Sequence, residues 1–221
     1  LIVAAILKTI ILRPKLNRFI ANKNNYQRNS YSASFVVKKQ FSDTSEEGLA
    51  FIYASEDSTL DSLHEDLFKQ ISREKKGGAG NATSNTMDIL NKLPRWFVKF
   101  FIWLMRQLDR HGIVPKSIIE ADPYYASVIL SNLGSIKLRS GYHHLTNWGT
   151  TSLFVVVGEM KERIFRNENG EDEYHNSVDL GLTIDERLAD GYYYSKSVRL
   201  LKYILEHPEC LERPFSEPVD Y

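Results

Sequence analysis

The run Ser152-Leu153-Phe154-Val155-Val156-Val157 shows no alternation between apolar and polar positions. A strand wet on one side has a period of two, so an unbroken apolar strand must be covered on both faces. The run therefore predicts the centre of a sheet, with packed material above and below it. Flanking segments extend that sheet. Ser127-Val128-Ile129-Leu130 reads as a strand feeding Ser131, and Leu133-Gly134 as the turn that follows. Asn169-Gly170 reads as a two-residue hairpin turn; it joins a strand over residues 161–167 to a return strand through Val178 and Leu182. Upstream, residues 34–39 and 49–54 are β-branched and aromatic runs separated by the polar residues 42–48, which predicts a strand, a loop and a strand.

Helical patterns lie between and around these strands. Residues 1–12 are apolar apart from Lys8 and Thr9, too short for a bilayer and without the flanks of a signal peptide. They read as a buried helix that Arg13-Pro14 ends. After it, residues 16–20 read as extended, and Asn24-Asn25 as a turn before Tyr26. Ser58-Thr59 opens an amphipathic helix with Leu60, Leu63, Leu67 and Ile71 on one stripe, His64 lying on its solvated flank. Residues 75–86 hold Gly77, Gly78, Gly80 and Asn81 and predict a loop; the lysine and hydroxyl of a phosphate-binding loop are missing from it. Pro94 starts a helix through residue 108 that carries Trp96, Phe97, Phe100, Phe101 and Trp103. So dense an aromatic surface calls for a membrane interface or a partner subunit, and the subunit is the reading preferred. The last helix shows Tyr194, Val198, Leu201 and Leu205 on one face and stops at His207-Pro208, leaving a loosely held tail. Strands and helices mixed in this way indicate α/β or α+β layers in a single domain.

Composition removes several classes of function. Lys and Arg together number 28, as do Asp and Glu, so the cationic footprint of a nucleic-acid binder is absent. The single cysteine, Cys210, excludes an intrachain disulfide and a cysteine metal cluster, and suits a reducing cytoplasm. His143-His144 is the only adjacent histidine pair, with no carboxylate at ligand spacing, so no metal site is expected.

The stretch whose residue types look chosen for chemistry is Thr183-Ile184-Asp185-Glu186-Arg187-Leu188-Ala189-Asp190-Gly191. It ends a strand and opens the last helix. Glu186 lies at the mouth of the strand, and Asp190 stands where an aspartate caps free helix amides and meets a favourable dipole.

Four residues from Glu186 to Asp190-Gly191, then a long terminal helix, resembles the signature of the dihydrolipoyl acyltransferase catalytic domains of 2-oxo acid dehydrogenase complexes and of the related chloramphenicol acetyltransferases. That signature is a histidine, three residues and Asp-Gly; Glu186 stands in the place of the histidine. Ser131-Asn132-Leu133-Gly134 resembles the upstream segment of the same family, whose serine hydroxyl stabilises the tetrahedral oxyanion. The resemblance runs over about residues 1–214, strongest after Asp122. It implies a chloramphenicol acetyltransferase-like two-layer fold, a mixed β-sheet with packed helices, as one catalytic domain over residues 1–214 with a tail at 215–221, and strands and helices of that domain preceding Leu1. It also implies a homotrimer or a larger assembly of trimers, with the active site a channel between subunits and other components of a 2-oxo acid dehydrogenase complex as partners. The implied substrate is a coenzyme A thioester, with the lipoyl group as a further acyl carrier.

In the family reaction the histidine takes a proton from a thiol or hydroxyl, and the freed nucleophile attacks the thioester. A glutamate is a poorer base than a histidine, about 4.3 against about 6.5 in model peptides, and each unit weakens the drive by about 1.4 kcal/mol. Ser131 would still polarise the carbonyl, and His143, His144, Tyr142 and the tyrosines at 192–194 are substitutes for the missing imidazole. Asp190 holds the loop rather than performing chemistry. Two functions therefore follow from the resemblance: acyl transfer between coenzyme A and a thiol or hydroxyl acceptor with Glu186 as base, or an inactive homotrimeric scaffold on the same frame.

Overall fold

The computed structural model describes residues 1–38, 47–75, 93–120 and 122–221. In chain order these form α1 (Ile2–Leu12), β1 (Arg18–Ala21), β2 (Asn24–Gln27), β3 (Tyr31–Lys38), β4 (Glu47–Ala54), α2 (Leu60–Lys75), α3 (Arg95–His111), the single turn α4 (Lys116–Ile119), β5 (Val128–Asn132), β6 (Leu153–Arg166), β7 (Asp172–Ile184) and α5 (Gly191–Glu206). Most of the loops expected at 42–48 and 75–86 lie outside the described residues.

One mixed sheet runs in the order β4-β3-β5-β6-β7. β5 lies parallel to both β3 and β6, while β4 and β7 close the edges antiparallel. The apolar run that predicts the centre of the sheet is thus one strand off it: β5 is central and β6 adjacent. Both faces of β6 are nonetheless covered from Leu153 to Val156. Leu153 and Val155 join Val128, Leu130 and Ile52 in the main core, against Ala4, Ile6, Leu7 and Ile10 of α1 and Leu200, Leu201 and Ile204 of α5. Phe154 and Val156 point the other way and join Ile129 in a smaller cluster with Tyr124, Leu133 and Leu145. Helices cover the first face, and an irregular strap over residues 137–152 covers the second.

α1 is buried along its length from Ala4 to Ile10, including Lys8. Its ammonium donates to the carbonyl oxygens of Cys210 and Pro214, at 2.8 and 3.0 Å, and burial pushes its pKa down. The tail is correspondingly not loose. Leu211 and Phe215 are fully buried, and the Phe215 and Ser216 amides donate to the carbonyls of Ser58 and Glu56.

Three local expectations shift. The first turn falls at Asn22-Lys23, with φ of 46° and 64°, so Asn24 and Asn25 begin β2; consecutive left-handed residues are what a tight hairpin needs. The β6–β7 connection spans five residues, 167–171, between paired Arg166 and Asp172, with the Asn167 amide donating to the Glu171 carbonyl and Gly170 left-handed at φ 82°. In α5 the buried stripe is Ser197, Leu200, Leu201 and Ile204, while Val198 is 42% exposed. The stripe is rotated because Arg13, just past α1, donates to the Ser197 hydroxyl and the Tyr193 carbonyl, drawing the serine side inward. The cap on α2 forms as read: Thr59 and Ser62 exchange hydrogen bonds between amide and hydroxyl.

Candidate active site

Ser131 sits in β5 opposite Val156. By the alternation of the strand it shares the strap-covered face with Ile129, Phe154 and Val156. It is half-buried, and among the described residues its hydroxyl makes no hydrogen bond.

The strap lies directly on the sheet because two sheet residues lack side chains. A Cβ on Gly158 would fall 2.5 Å from the amide nitrogen of Ser140, and one on Gly181 would fall 2.0 Å from the carbonyl oxygen of Gly141. Gly158 belongs to a bulge, where residues between Val157 and Met160 are extra relative to β7, and the Glu159 amide donates to Leu138. Beyond this crossing His143 lies flat on Phe154, with ring centroids 4.1 Å apart and planes 8° apart. His144 stacks on its outer side at 4.9 Å. Near its far end the strap carries Trp148, whose indole N–H donates to Asp122 at 2.6 Å and whose ring meets Tyr125 edge-on.

At the end of β7 the backbone stays extended to Asp185, whose amide donates to the Ser152 carbonyl. Arg187 folds back on Asp185 and donates from Nε and Nη2 at 2.8 and 2.6 Å, and its own amide donates there at 3.1 Å. Burial alone would raise the Asp185 pKa, but these hydrogen bonds and the guanidinium charge leave it below the ordinary value. The arginine beside Glu186 therefore serves a different carboxylate. The Tyr194 hydroxyl donates to the Asp185 carbonyl, and desolvation with the nearby Asp185 charge pushes its pKa up to about 12. The Tyr193 hydroxyl accepts from the Lys15 amide at 3.1 Å. Both tyrosines hold structure together, while Tyr142 and Tyr192 are open to solvent, at 86% and 72% exposure.

Asp190 caps α5 as the sequence requires, accepting from the Tyr193 amide at 2.8 Å. That hydrogen bond, the first cause, lowers its pKa. Glu186 is exposed and has no side-chain hydrogen bond or ion pair among the described residues. Ser131 is level with Val156 and Gly181, and Glu186 lies five residues beyond Gly181. At about 3.3 Å per residue that is roughly 16 Å along the sheet, so a single chain does not bring the two together. Among the described residues no group of three or more His, Cys, Asp or Glu is placed to hold a metal ion, and no helix is long and apolar enough to cross a membrane.

A cavity of about 600 Å³ opens beside the strap's end, between the β1–β2 turn and α3. Arg106, Arg110, Asn22, Trp148 and Thr150 line it. Next to it Arg28 donates to the carbonyls of Tyr125 and Thr150, and desolvation lowers its pKa to about 10. The seat of His143 on Phe154 and the Asp185–Arg187 pair were not read from the sequence; an Asp and an Arg two residues apart beside a strand end were the available signal for the second.

No protein-family model matches the chain, and no curated protein matches it by sequence. Solved structures do match. A probable dihydrolipoamide acetyltransferase from Listeria monocytogenes superposes with a TM-score of 0.57 at 16% identity, over 93% of this chain and 68% of that one. The cubic core of the pyruvate dehydrogenase multienzyme complex gives 0.60 at 12% identity, over 95% and 68%. The Azotobacter vinelandii dihydrolipoamide acetyltransferase, studied for the roles of a serine, a histidine and an asparagine in its mechanism, gives 0.53 at 11% identity, over 95% and 68%. At such identities the likeness is one of fold, and the fold of this chain is that of the dihydrolipoamide acetyltransferase cores.

Proposed function

We propose that the protein is an acyltransferase of this fold, moving an acyl group between a coenzyme A thioester and a thiol or hydroxyl acceptor. The observation that carries the reading is Ser131: a half-buried serine with an uncommitted hydroxyl, on the sheet face that the strap encloses, in a core of acyltransferase fold. Its O–H donates to the oxygen that becomes negative as the thioester carbonyl is attacked, a contribution that forms only as charge develops. Asp190 holds the turn that carries Glu186, and the sequence resemblance assigns Glu186 to the place of the family's base. Arg106 and Arg110 supply positive charge in the adjoining cavity for the phosphates of coenzyme A. The working form is a homotrimer or an assembly of trimers, in which a neighbouring chain brings its Glu186 turn toward Ser131, with components of a 2-oxo acid dehydrogenase complex and a lipoyl carrier as partners.

The second reading, an inactive scaffold on the same frame, is favoured by the carboxylate at the base position and by its solvent exposure on this chain. Acetyl transfer from acetyl coenzyme A to dihydrolipoamide separates the two. An acyltransferase shows slow, saturable transfer that Ser131→Ala reduces by about 10²-fold, the usual loss on removing one oxyanion donor. A folded native protein with no transfer to thiol or hydroxyl acceptors is the scaffold.

A further inference from the structure

The acyltransferase reading leaves a chemical deficit, since a carboxylate is a weak acceptor for a thiol proton. We infer that His143 is the proton acceptor, working on the same face of the same chain as Ser131. The inference rests on the acyltransferase reading and adds the residue that makes it run.

Three observations converge on His143. The first is its place. Phe154, on which its ring lies, pairs with Ile129, two residues before Ser131. One strand spacing across and two residues along put Phe154 and Ser131 about 8 Å apart at their α-carbons, on one face. A reacting carbonyl and an attacking sulfur fit a gap of that order. Glu186 of the same chain lies further along in the same direction, since Phe154 is level with Thr183 and Glu186 is three residues beyond it, past the end of β7.

The second is its tautomer. His143 Nδ1 lies 2.8 Å from the carbonyl oxygen of His144. A carbonyl only accepts, so Nδ1 carries the hydrogen, and in the neutral ring Nε2 is left with its lone pair free. A general base needs that arrangement, with one nitrogen anchored by a donated hydrogen bond and the other open. The third is its fixity. The ring is held between Phe154 and His144 at 4.1 and 4.9 Å, and the strap beneath it is pressed to the sheet at Gly158 and Gly181. The side chain is still exposed, so an acceptor reaches it. The other histidines lack this combination: His64 is on an exposed helix flank, His111 has Nδ1 on the Gln107 carbonyl but sits at the exposed end of α3 with no ring stacked on it among the described residues, His144 stacks only on His143, and His175 and His207 face Glu173 and Glu209 at the surface.

The step balances. Nε2 of His143 takes the proton of the acceptor thiol, and the thiolate forms a bond to the thioester carbon while Ser131 donates to the oxyanion. The tetrahedral species collapses with cleavage of the bond to the coenzyme A sulfur. The imidazolium then returns the proton to that sulfur, and no other reactant is needed.

The test uses the intact chain, with acetyl coenzyme A and dihydrolipoamide. His143→Ala is expected to lower kcat by about 10²-fold or more while leaving KM for acetyl coenzyme A within a few-fold, and free imidazole is expected to restore part of the lost rate. Glu186→Gln is expected to cost less than His143→Ala. Native activity that survives His143→Ala within about threefold overturns the assignment and leaves the acyltransferase standing. A loss in a folded His143→Ala protein that imidazole does not relieve makes His143 structural and also overturns it. A native protein that transfers nothing removes the acyltransferase reading, and the base assignment with it.

Discussion

Asp185 and Arg187 show that neighbours in sequence need not be partners. In the sequence Arg187 neighbours Glu186, but its guanidinium reaches two residues back, because the chain turns after Ile184 and brings positions 185 and 187 to one side. The pair has a testable pH signature. The Asp185 pKa is depressed in the folded chain, so its stabilisation is present above the unfolded value of about 3.9 and is lost as pH falls through the lower folded value. Arg187→Gln is therefore expected to lower the thermal midpoint at pH 6–7, with the gap from the native protein closing as pH falls toward 3. A gap that stays constant over that range would show that the arginine acts by packing rather than charge. Asp190, by contrast, was legible: an aspartate before a glycine and a long helix has few other roles, and the cap forms as expected.

Among elements, the buried ones declared themselves and the strap did not. α1 and the first residues of β6, Leu153 to Val156, are covered on both sides, and burial without a solvent face leaves an unbroken apolar run. The α5 stripe was read one residue out of phase because its orientation depends on Arg13, far away in sequence. The strap, with no periodicity of its own, is specified by glycines in other elements. Gly158 and Gly181 look like isolated interruptions of strands until the backbone of Ser140 and Gly141 is found lying on them. Gly181→Ala places a methyl 2.0 Å from the Gly141 carbonyl oxygen, and a backbone atom cannot step aside cheaply. The expected cost is about 1–3 kcal/mol, as for overpacking, measured by denaturant unfolding. Transfer activity is expected to fall further than stability alone explains, because His143 loses its seat on Phe154. A variant with native stability and native activity would show that the strap has room to lift.

For the whole molecule, the surfaces left over are as informative as the core. No residue of α3 is buried, and Trp96, Phe100 and Trp103 are 71%, 52% and 55% exposed. The sequence marked this face as one that must be covered, and the isolated chain leaves it open. The outer half of the β6–β7 hairpin likewise exposes Met160, Ile164, Phe165 and Tyr174. We expect the chain to associate as a trimer that covers α3, since a soluble monomer seldom tolerates so large an apolar patch. Sedimentation velocity checks this: Trp96→Glu with Trp103→Glu should shift the species toward monomer. A native protein that is monomeric without detergent removes the argument.

Lys8 adds a matter of timing. Its amine is satisfied by carbonyls 202 and 206 residues away, so α1 cannot complete its bonds until Cys210 and Pro214 have been made. During synthesis a helix apolar on nearly every side waits without its final partners while the intervening strands emerge. Contacts so distant in sequence form slowly, and an exposed apolar segment is prone to wrong association in the meantime. The clasp that seals the finished molecule thus makes the nascent one depend on shelter, and any shortening of the chain before Phe215 leaves it in that unfinished state.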